Sequence, residues 1–557
     1  MKRITSSLCI IASIAMMTGC SKDEIETTGN NENTDSDTTQ RTEWTGELRH
    51  ATSSTSIDDN TIVVSWNDTA TVEVAYNIYN KVWADIRDGH VTLLASADID
   101  EDLTYILQGN SSDGSLYMDG QYKATFCLNG LTLTNPDSAA INIRDGKRIA
   151  LYLVEETENT LTDGSGGEQK ACFMVKGHTE VSGEGVLNIN GNTGHAFWGK
   201  EYVQLKATTG TINIKKAVGD GMNVNQYFQM NGGTLNISGV GDDGIEVSYK
   251  TDDSENIITL TEDEDNTSEI LIKGGTLNIT TTASDSKCLK TEGDININEN
   301  KGATVITVSN SGSSSQSSGM GGMGGMGGRP GSQQQTTTSG VASKAIKAEG
   351  DINISAGTIN ATSASHEGIE SKGAITISGG IVTVKAADDA INASGNMTIS
   401  GGHTYAYSST NDGIDTNGNF YMNGGVAIAF GSSGAETGID IDERHSLSIN
   451  GGYLFGIGGR VDSNLSNCSQ AYGYTSRSAS FSGNYIVVGT TTSQLWAVKL
   501  PTTSYSGILI ASSPEMSSGT TYTISTTSSI GGSEVNGFVE APNASNPTQK
   551  TTIKATK

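Results

Sequence analysis

Ala356-Gly357-Thr-Ile-Asn-Ala, Gly379-Gly380-Ile-Val-Thr-Val, Gly401-Gly402-His-Thr-Tyr-Ala, Gly424-Gly425-Val-Ala-Ile-Ala and Gly451-Gly452-Tyr-Leu-Phe are five copies of one line. The second glycine recurs at 357, 380, 402, 425 and 452, in steps of 23, 22, 23 and 27 residues. A period in the low twenties is the mark of a solenoid, whose units cannot bury their apolar face alone. Midway through each line stands an acidic corner: His366-Glu367-Gly-Ile-Glu370, Asp388-Asp389-Ala-Ile-Asn392, Asn411-Asp412-Gly-Ile-Asp415 and Glu436-Thr437-Gly-Ile-Asp440. A third segment closes the unit, as in Gly373-Ala-Ile-Thr-Ile and Gly395-Asn-Met-Thr-Ile.

Each unit therefore reads as three short strands. Val382 and Val384 alternate with polar residues in the first, Ile391 points inward in the second, and Met397 and Ile399 alternate in the third. Gly, Asn, Asp and Ser fill the corners, where positive φ is tolerated. Three strands and three turns per coil predict an all-β chain folded as a right-handed, three-faced parallel β-helix with coils about 4.8 Å apart. Ile369, Ile391, Ile414 and Ile439 then form one interior column. By the same alternation Tyr405 and Tyr407 are expected to point inward in place of Val382 and Val384.

Working outward, residues 128–470 carry the regular coils, from Leu128-Asn-Gly-Leu-Thr-Leu133 onward. Two insertions interrupt them. Residues 251–269 are strongly acidic, do not match the fixed ligand spacing of an EF-hand, and read as a solvated loop. Residues 310–340 contain three Gly-flanked methionines, Met320, Met323 and Met326, soft ligands for Cu(I) in principle but in a composition typical of a flexible loop. Residues 57–127 show strand-like runs with a weak repeat and are expected to form an N-terminal cap with irregular first coils. Residues 471–557 are expected to form a C-terminal β cap or tail.

The start of the chain carries a targeting pattern. Lys2 and Arg3 precede an apolar run from Leu8 to Met17, too short to span a bilayer. Met17-Thr-Gly-Cys20 resembles a bacterial lipobox, so 1–19 are expected to be a lipoprotein signal peptide and Cys20 the acylated residue. Ser21-Lys-Asp-Glu24 is similar to the export signal of surface-displayed Bacteroidetes lipoproteins. Residues 20–56, nearly devoid of apolar side chains, read as a disordered tether. The expected location is thus the outer membrane, facing outward, with membrane lipid as a partner through Cys20.

The net charge of -28 argues against nucleic-acid partners. Of the six cysteines, Cys127, Cys172, Cys288 and Cys468 are widely spaced and form no zinc pattern. A buried thiol is the reading for Cys288, with a disulfide open outside the cytoplasm. A monomer is expected.

The Gly-Gly-Thr-Leu-Asn-Ile strands, the Asp-Asp-Gly-Ile corners, Asn159-Thr-Leu-Thr-Asp-Gly164 and Ser513-Pro-Glu-Met-Ser-Ser-Gly-Thr-Thr-Tyr522 resemble carbohydrate-binding parallel β-helix proteins, over roughly residues 100 to 525. The described member of that family binds cellulose and pectate and carries calcium. The resemblance implies calcium at acidic corners and no catalytic apparatus.

Aligned by coil, the corners read Asp220-Gly-Met-Asn223, Asp243-Gly-Ile-Glu246, Lys287-Cys-Leu-Lys290, Lys344-Ala-Ile-Lys347, Glu367 to Glu370, Asp389 to Asn392, Asp412 to Asp415 and Thr437 to Asp440. Like carboxylates one coil apart repel by ~1 kcal/mol in water and ~3–4 kcal/mol at an effective dielectric of 20. Lys290 and Lys347 are placed to neutralise Glu246 and Glu370. The run Glu370, Asp389, Asp412, Asp415, Asp440, Asp442 contains no such lysine. Carboxylates from adjacent corners with Asn392 suit calcium, a hard ion that takes six to eight oxygens. The expected calcium ligands are therefore Asp220, Asp243, Glu246, Glu367, Glu370, Asp389, Asn392, Asp412, Asp415, Asp440 and Asp442. Corner geometry by itself also favours Asp and Asn. Trp198 stands where later coils have Asn223 and Glu246, an outward position suited to stacking on a sugar ring.

Three functions follow as alternatives. One is a non-catalytic surface protein that binds polysaccharide, pectin-like or cellulosic. The second is a calcium-dependent lyase using Lys287, Lys290, Lys344, Lys347 or Lys372 as base. The third is an adhesin that binds another protein.

Overall fold

The computed structural model describes residues 51–557 apart from 97, 98, 100, 253, 314–341, 435, 462 and 463. The expected signal peptide, the lipid-bearing Cys20, most of the tether and the methionines Met320, Met323 and Met326 lie outside the described residues.

The strands stack in parallel as a β-solenoid of about 15 turns. One 14-stranded sheet makes one face of the prism. A 30-stranded sheet makes the other two, joined by the strand Ala124–Asn135, which pairs with Ile149–Leu153 through its first half and Glu158–Asp163 through its second. Glycine allows that bend, since Gly130 has φ of 71°. The same reasoning holds at the repeated Gly-Gly corner. Gly425 has φ of 72°, and a Cβ there would lie 2.5 Å from the carbonyl carbon of Gly401 in the preceding coil. No other residue meets both demands.

The interior is a set of apolar columns. Ile346, Ile369, Ile391, Ile414 and Ile439 pair in register from coil to coil and are all buried. Met397 pairs with Phe420 and Ile399 with Met422 on a second face, also buried. Outside, the third face carries an amide ladder in which Asn213 donates to Asn188 at 3.0 Å, Asn236 to Asn213 at 2.9 Å and Asn278 to Asn236 at 2.9 Å. Parallel in-register stacking alone brings identical side chains that close. Cys127, Cys172 and Cys288 are buried free thiols, and Cys468 is free and half-buried.

Parallel pairing begins earlier than the regular sequence repeat. Thr61–Asn67 pairs with Leu103–Ser111, which pairs with Ala124–Asn135. The early coils differ in length, so their strands stack without showing a fixed period. Antiparallel strands end the stack at both sides. Thr69–Ala75 lies antiparallel to Thr61–Asn67, and Val82–Arg87 to Gly89–Ala95. At the far end Ser504–Ser512 lies antiparallel to Tyr453–Gly458 of the last coil. The 14-stranded sheet instead stops at the far end on the three-residue strand Ile439–Ile441.

A six-stranded antiparallel sheet, from Tyr485–Gly489 to Thr548–Lys554, forms the C-terminal unit. It covers the outer side of the last coils, where Trp496 and Phe538 pack with Tyr405, Phe430 and Phe455. This corrects the inward expectation for Tyr405 and Tyr407. Thr404 pairs with Val382 and Ala406 with Val384, so those two face the core, while Tyr405 and Tyr407 pair with Thr383 and Lys385. A one-residue slip moves a strand's whole side-chain set to the other face. Tyr405 is buried all the same, by the C-terminal sheet rather than by its own coil.

Ile391 is fully buried between Ile369 and Ile414. Ile391→Ala is expected to cost ~2–5 kcal/mol in equilibrium denaturation. A loss below about 1 kcal/mol would mean that the column is not the packed core.

Candidate functional site

The outer surface of the 14-stranded sheet carries one continuous row. In register it reads Tyr117, Asn142, Met174, Trp198, Asn223, Glu246, Lys290, Lys347, Glu370, Asn392, Asp415 and Asp440. The inward neighbours on each strand are fixed by the core columns, so alternation leaves these side chains no choice but outward.

A second row, three residues earlier in each coil, lies at the corner and has a structural task. Asp220 Oδ1 accepts the backbone N–H of Asp243 at 2.9 Å, and Asp243 Oδ1 that of Lys287 at 2.6 Å. Asp389 Oδ1 accepts from the backbone of Asp412 at 3.1 Å, and Asp412 Oδ1 from that of Thr437 at 2.5 Å. Each corner aspartate thus ties its coil to the next and is buried.

The two rows exchange charge, and the partners differ along the prism. At the first acidic coils, Lys290 Nζ lies 3.0 Å from Asp243 Oδ2 and 2.5 Å from Glu246 Oε1. Asn223 Nδ2 donates to Asp220 Oδ2 at 2.9 Å and to Glu246 Oε2 at 3.0 Å, and His195 Nδ1 sits 3.1 Å from Asp220 Oδ2. Asp220, Asp243 and Glu246 bring three carboxylate oxygens within 4.8 Å of one another. Asp243 Oδ2 accepts no hydrogen bond and is met by the Lys290 ammonium alone, which stands between Asp243 and Glu246 where a dication would sit. Even so, burial and the charge of Asp220 push Glu246 up to about 7.

At the middle coils the expected partner is corrected. Glu370 is neutralised by Lys344, in short contact, and by Lys372 at 2.5 Å, not by Lys347. Lys347 turns to Glu349 at 2.6 Å. Lys344 stands at the corner rather than in the outer row and is 5 % exposed, so it reaches both Glu367, at 3.1 Å, and Glu370. Burial works against the charge of Glu370, yet the two lysines hold its carboxyl down at about 2.

At the later coils neither row carries a lysine. Asn392 Nδ2 donates to Asp389 Oδ2 at 2.8 Å and to Asp415 Oδ2 at 2.9 Å, repeating the bridge made by Asn223. An amide carries no charge, so the repulsion stays. Burial and then the charge of Asp415 push Asp389 up to about 8. Burial pushes Asp412 up to about 6, and burial with Asp412 does the same to Asp415. The run ends on arginines: Arg460 lies 3.0 Å from Asp440, and Arg444 lies 3.1 Å from Asp442, whose carboxyl is held low by that bond.

A family model described as carbohydrate-binding domain-containing protein matches residues 95–390 and 360–413, more than half of the chain. The chain belongs to this carbohydrate-binding family. A protein of that description from Acetivibrio thermocellus is 27% identical over 146 residues, covering 24% of this chain and 50% of that protein. The chain spans about half the length of this curated relative. A solved structure described as the polysaccharide lyase-like protein from C. thermocellum, a gadolinium derivative, aligns with a TM-score of 0.35 at 22% identity, over 45% of this chain and 91% of that one.

For a carbohydrate-binding family member, aromatic surfaces matter as much as charge. Trp198 lies in the outer row, half-buried on Ala139, Ala171 and Met174, with Lys170 Nζ 4.9 Å from its ring centroid. It forms an apolar step next to the Asn223–Glu246 end of the acidic row. A second aromatic feature escapes sequence reading. His178, Tyr202 and Tyr227 stack on three consecutive coils, with centroids 4.2 and 4.6 Å apart. Each stands at the start of a strand of the third segment, Thr179–Ser182, Val203–Leu205 and Tyr227–Met230. The acidic insertion leans on this edge, with Asp263 accepting from Gln226 at 2.6 Å and pairing with Lys250 at 3.3 Å.

The raised carboxyls fix a pH dependence. Their folded-state values lie above the ordinary 3.8, so the folded chain holds more protons than the unfolded one, and stability rises as pH falls through about 8 to about 6. In chelator, the chain is expected to gain ~1–3 kcal/mol between pH 8.5 and 5.5. Asp389→Asn should flatten the upper part of that curve. Melting curves that fall or stay level on acidification would contradict the burial of these charges.

Proposed function

We propose that this chain is an outer-membrane lipoprotein, anchored through an acylated Cys20 and facing outward, that holds acidic, pectin-like polysaccharide along the outer row without cleaving it. The observation that carries the proposal is the row itself. It offers a polymer a straight track of polar side chains at even spacing, with Trp198 as an apolar platform on which a sugar ring stacks.

Calcium belongs to this reading at the later coils. Asp389 and Asp415, whose Oδ2 atoms share the Asn392 side chain, would hold it, with the carbonyl oxygen of Asn392 as a further donor and Asp412 adding negative charge beside them. Burial and mutual repulsion raise their carboxyls, and a bound cation would relieve that repulsion. Asp220, Asp243 and Glu246 are not part of the proposed site, because Lys290 neutralises them, nor is Glu370, because Lys344 and Lys372 do, nor Glu367, which faces His366 and Lys344 rather than the later corners. Asp440 and Asp442 are matched by Arg460 and Arg444. Bound calcium supplies the positive charge through which an acidic surface accepts uronate carboxylates. The lysines of a lyase reading are engaged instead in ion pairs (Lys290, Lys344, Lys347, Lys372) or buried (Lys287, which donates to the backbone carbonyl of Asp285).

Affinity electrophoresis through soluble polygalacturonate tests this. Retardation is expected with calcium and not with EDTA, Trp198→Ala should weaken it about tenfold or more, and Asp415→Asn should weaken its calcium dependence. Retardation indifferent to both calcium and Trp198, or release of unsaturated uronate, would overturn the proposal.

A further inference from the structure

The corner that carries Lys344 and Glu367 also carries groups that neither the core nor the outer row uses. His366, Glu367 and Asp388 each bring one ligand atom to a common point, all within 4.8 Å. Among the described residues only one other group does so, the Asp220 trio already filled by Lys290. His366 and Glu367 come from one coil and Asp388 from the next, at the position directly above His366. Neighbouring coils place Ser343, Asn411 and Glu436 in that column, so the imidazole is peculiar to this coil.

His366 Nδ1 faces two carboxylate oxygens at once. Asp388 Oδ2 lies 3.3 Å away and Glu367 Oε2 is in closer contact. A neutral imidazole nitrogen carries at most one hydrogen, so it cannot satisfy both acceptors fully. The other ends of the ligands are held. Asn411 Nδ2 donates to Asp388 Oδ1 at 2.8 Å, and the backbone N–H of His366 donates to Ser363 Oγ at 3.3 Å. Glu367 Oε2 also meets Lys344 Nζ at 3.1 Å, but that ammonium has Glu370 as a second, buried partner. The side chain of Glu367 is 9 % exposed, while those of His366 and Asp388 are 26 % and 32 % exposed, so the point where they meet is open on one side.

The geometry points to a transition-metal site of the zinc class at His366, Glu367 and Asp388, with a fourth position open to solvent. Ligands about 2.0–2.1 Å from a tetrahedral ion lie about 3.3 Å from one another; His366 Nδ1 and Asp388 Oδ2 already have that separation, while Glu367, in closer contact with Nδ1, would draw back to share the ion. A nitrogen donor with two carboxylates selects zinc or its first-row neighbours over calcium, which takes oxygen alone at longer distance. The site shares no ligand with the calcium proposed at Asp389 and Asp415 and stands without it.

Cobalt(II) titration of the untagged chain, followed by visible absorption, tests the assignment. One equivalent should bind with the intense bands of a four- or five-coordinate nitrogen–oxygen site, be displaced by zinc, and persist in millimolar calcium. His366→Ala and Asp388→Asn should each weaken binding by about tenfold or more, with melting curves confirming that both variants fold. Trp198→Ala should bind as the parent does. Absence of the bands at saturating cobalt, equal binding by His366→Ala, or displacement by calcium would overturn it.

Discussion

Each coil lies one strand spacing from the next, and the backbone hydrogen bonds of three faces hold that spacing over the length of the prism. Every outward side chain therefore has a neighbour from the adjoining coil about 4.8 Å away on each side. For apolar residues this is an advantage, because columns of isoleucine pack without gaps. For carboxylates it is a cost that must be met locally, since the stack gives them no room to turn apart.

The chain meets that cost in several ways along one sheet. Lysines cross to carboxylates at Asp243, Glu246, Glu367 and Glu370. Arg460, just past the strand Tyr453–Gly458, reaches Asp440, and Arg444, two residues along the same corner, reaches Asp442. Backbone N–H groups take one oxygen of each corner aspartate. Asp389 and Asp415 share a neutral amide, that of Asn392, with no lysine or arginine on either, and together with Asp412 their carboxyls are pushed up by burial and mutual repulsion. A surface so constructed is strongly acidic, with its charge matched by different partners at different coils.

The fold and the composition of the outer row were legible in the sequence because the Gly-Gly and Asp-Gly-Ile corners index every coil. Once those are aligned, residues as distant as Asn223 and Asp440 fall on one line. What stayed hidden depends on depth and on partners from outside the repeat. Lys344 and Lys347 are three residues apart and look equivalent, but the corner position lies closer to the carboxylates of the next coil, so Lys344 takes Glu370. Tyr405 sits beside a core valine by a one-residue miscount, and is buried by a sheet whose strands lie about a hundred residues later. The stack of His178, Tyr202 and Tyr227 and the meeting of His366 with Asp388 come from corners whose residues vary, where no pattern announces a contact.

The claim on which these readings rest is that residues one coil apart in the row are direct neighbours, and engineered disulfides test it most directly. Cysteines replacing Asn392 and Asp415, paired in register on adjacent strands, should cross-link under mild oxidation, since about 4.8 Å between Cα atoms is within disulfide reach. Cysteines replacing Asn392 and Asp440, two coils apart at roughly 9–10 Å, should not. A chain in which the second pair closes, or in which the first stays reduced while folded, would contradict the stack.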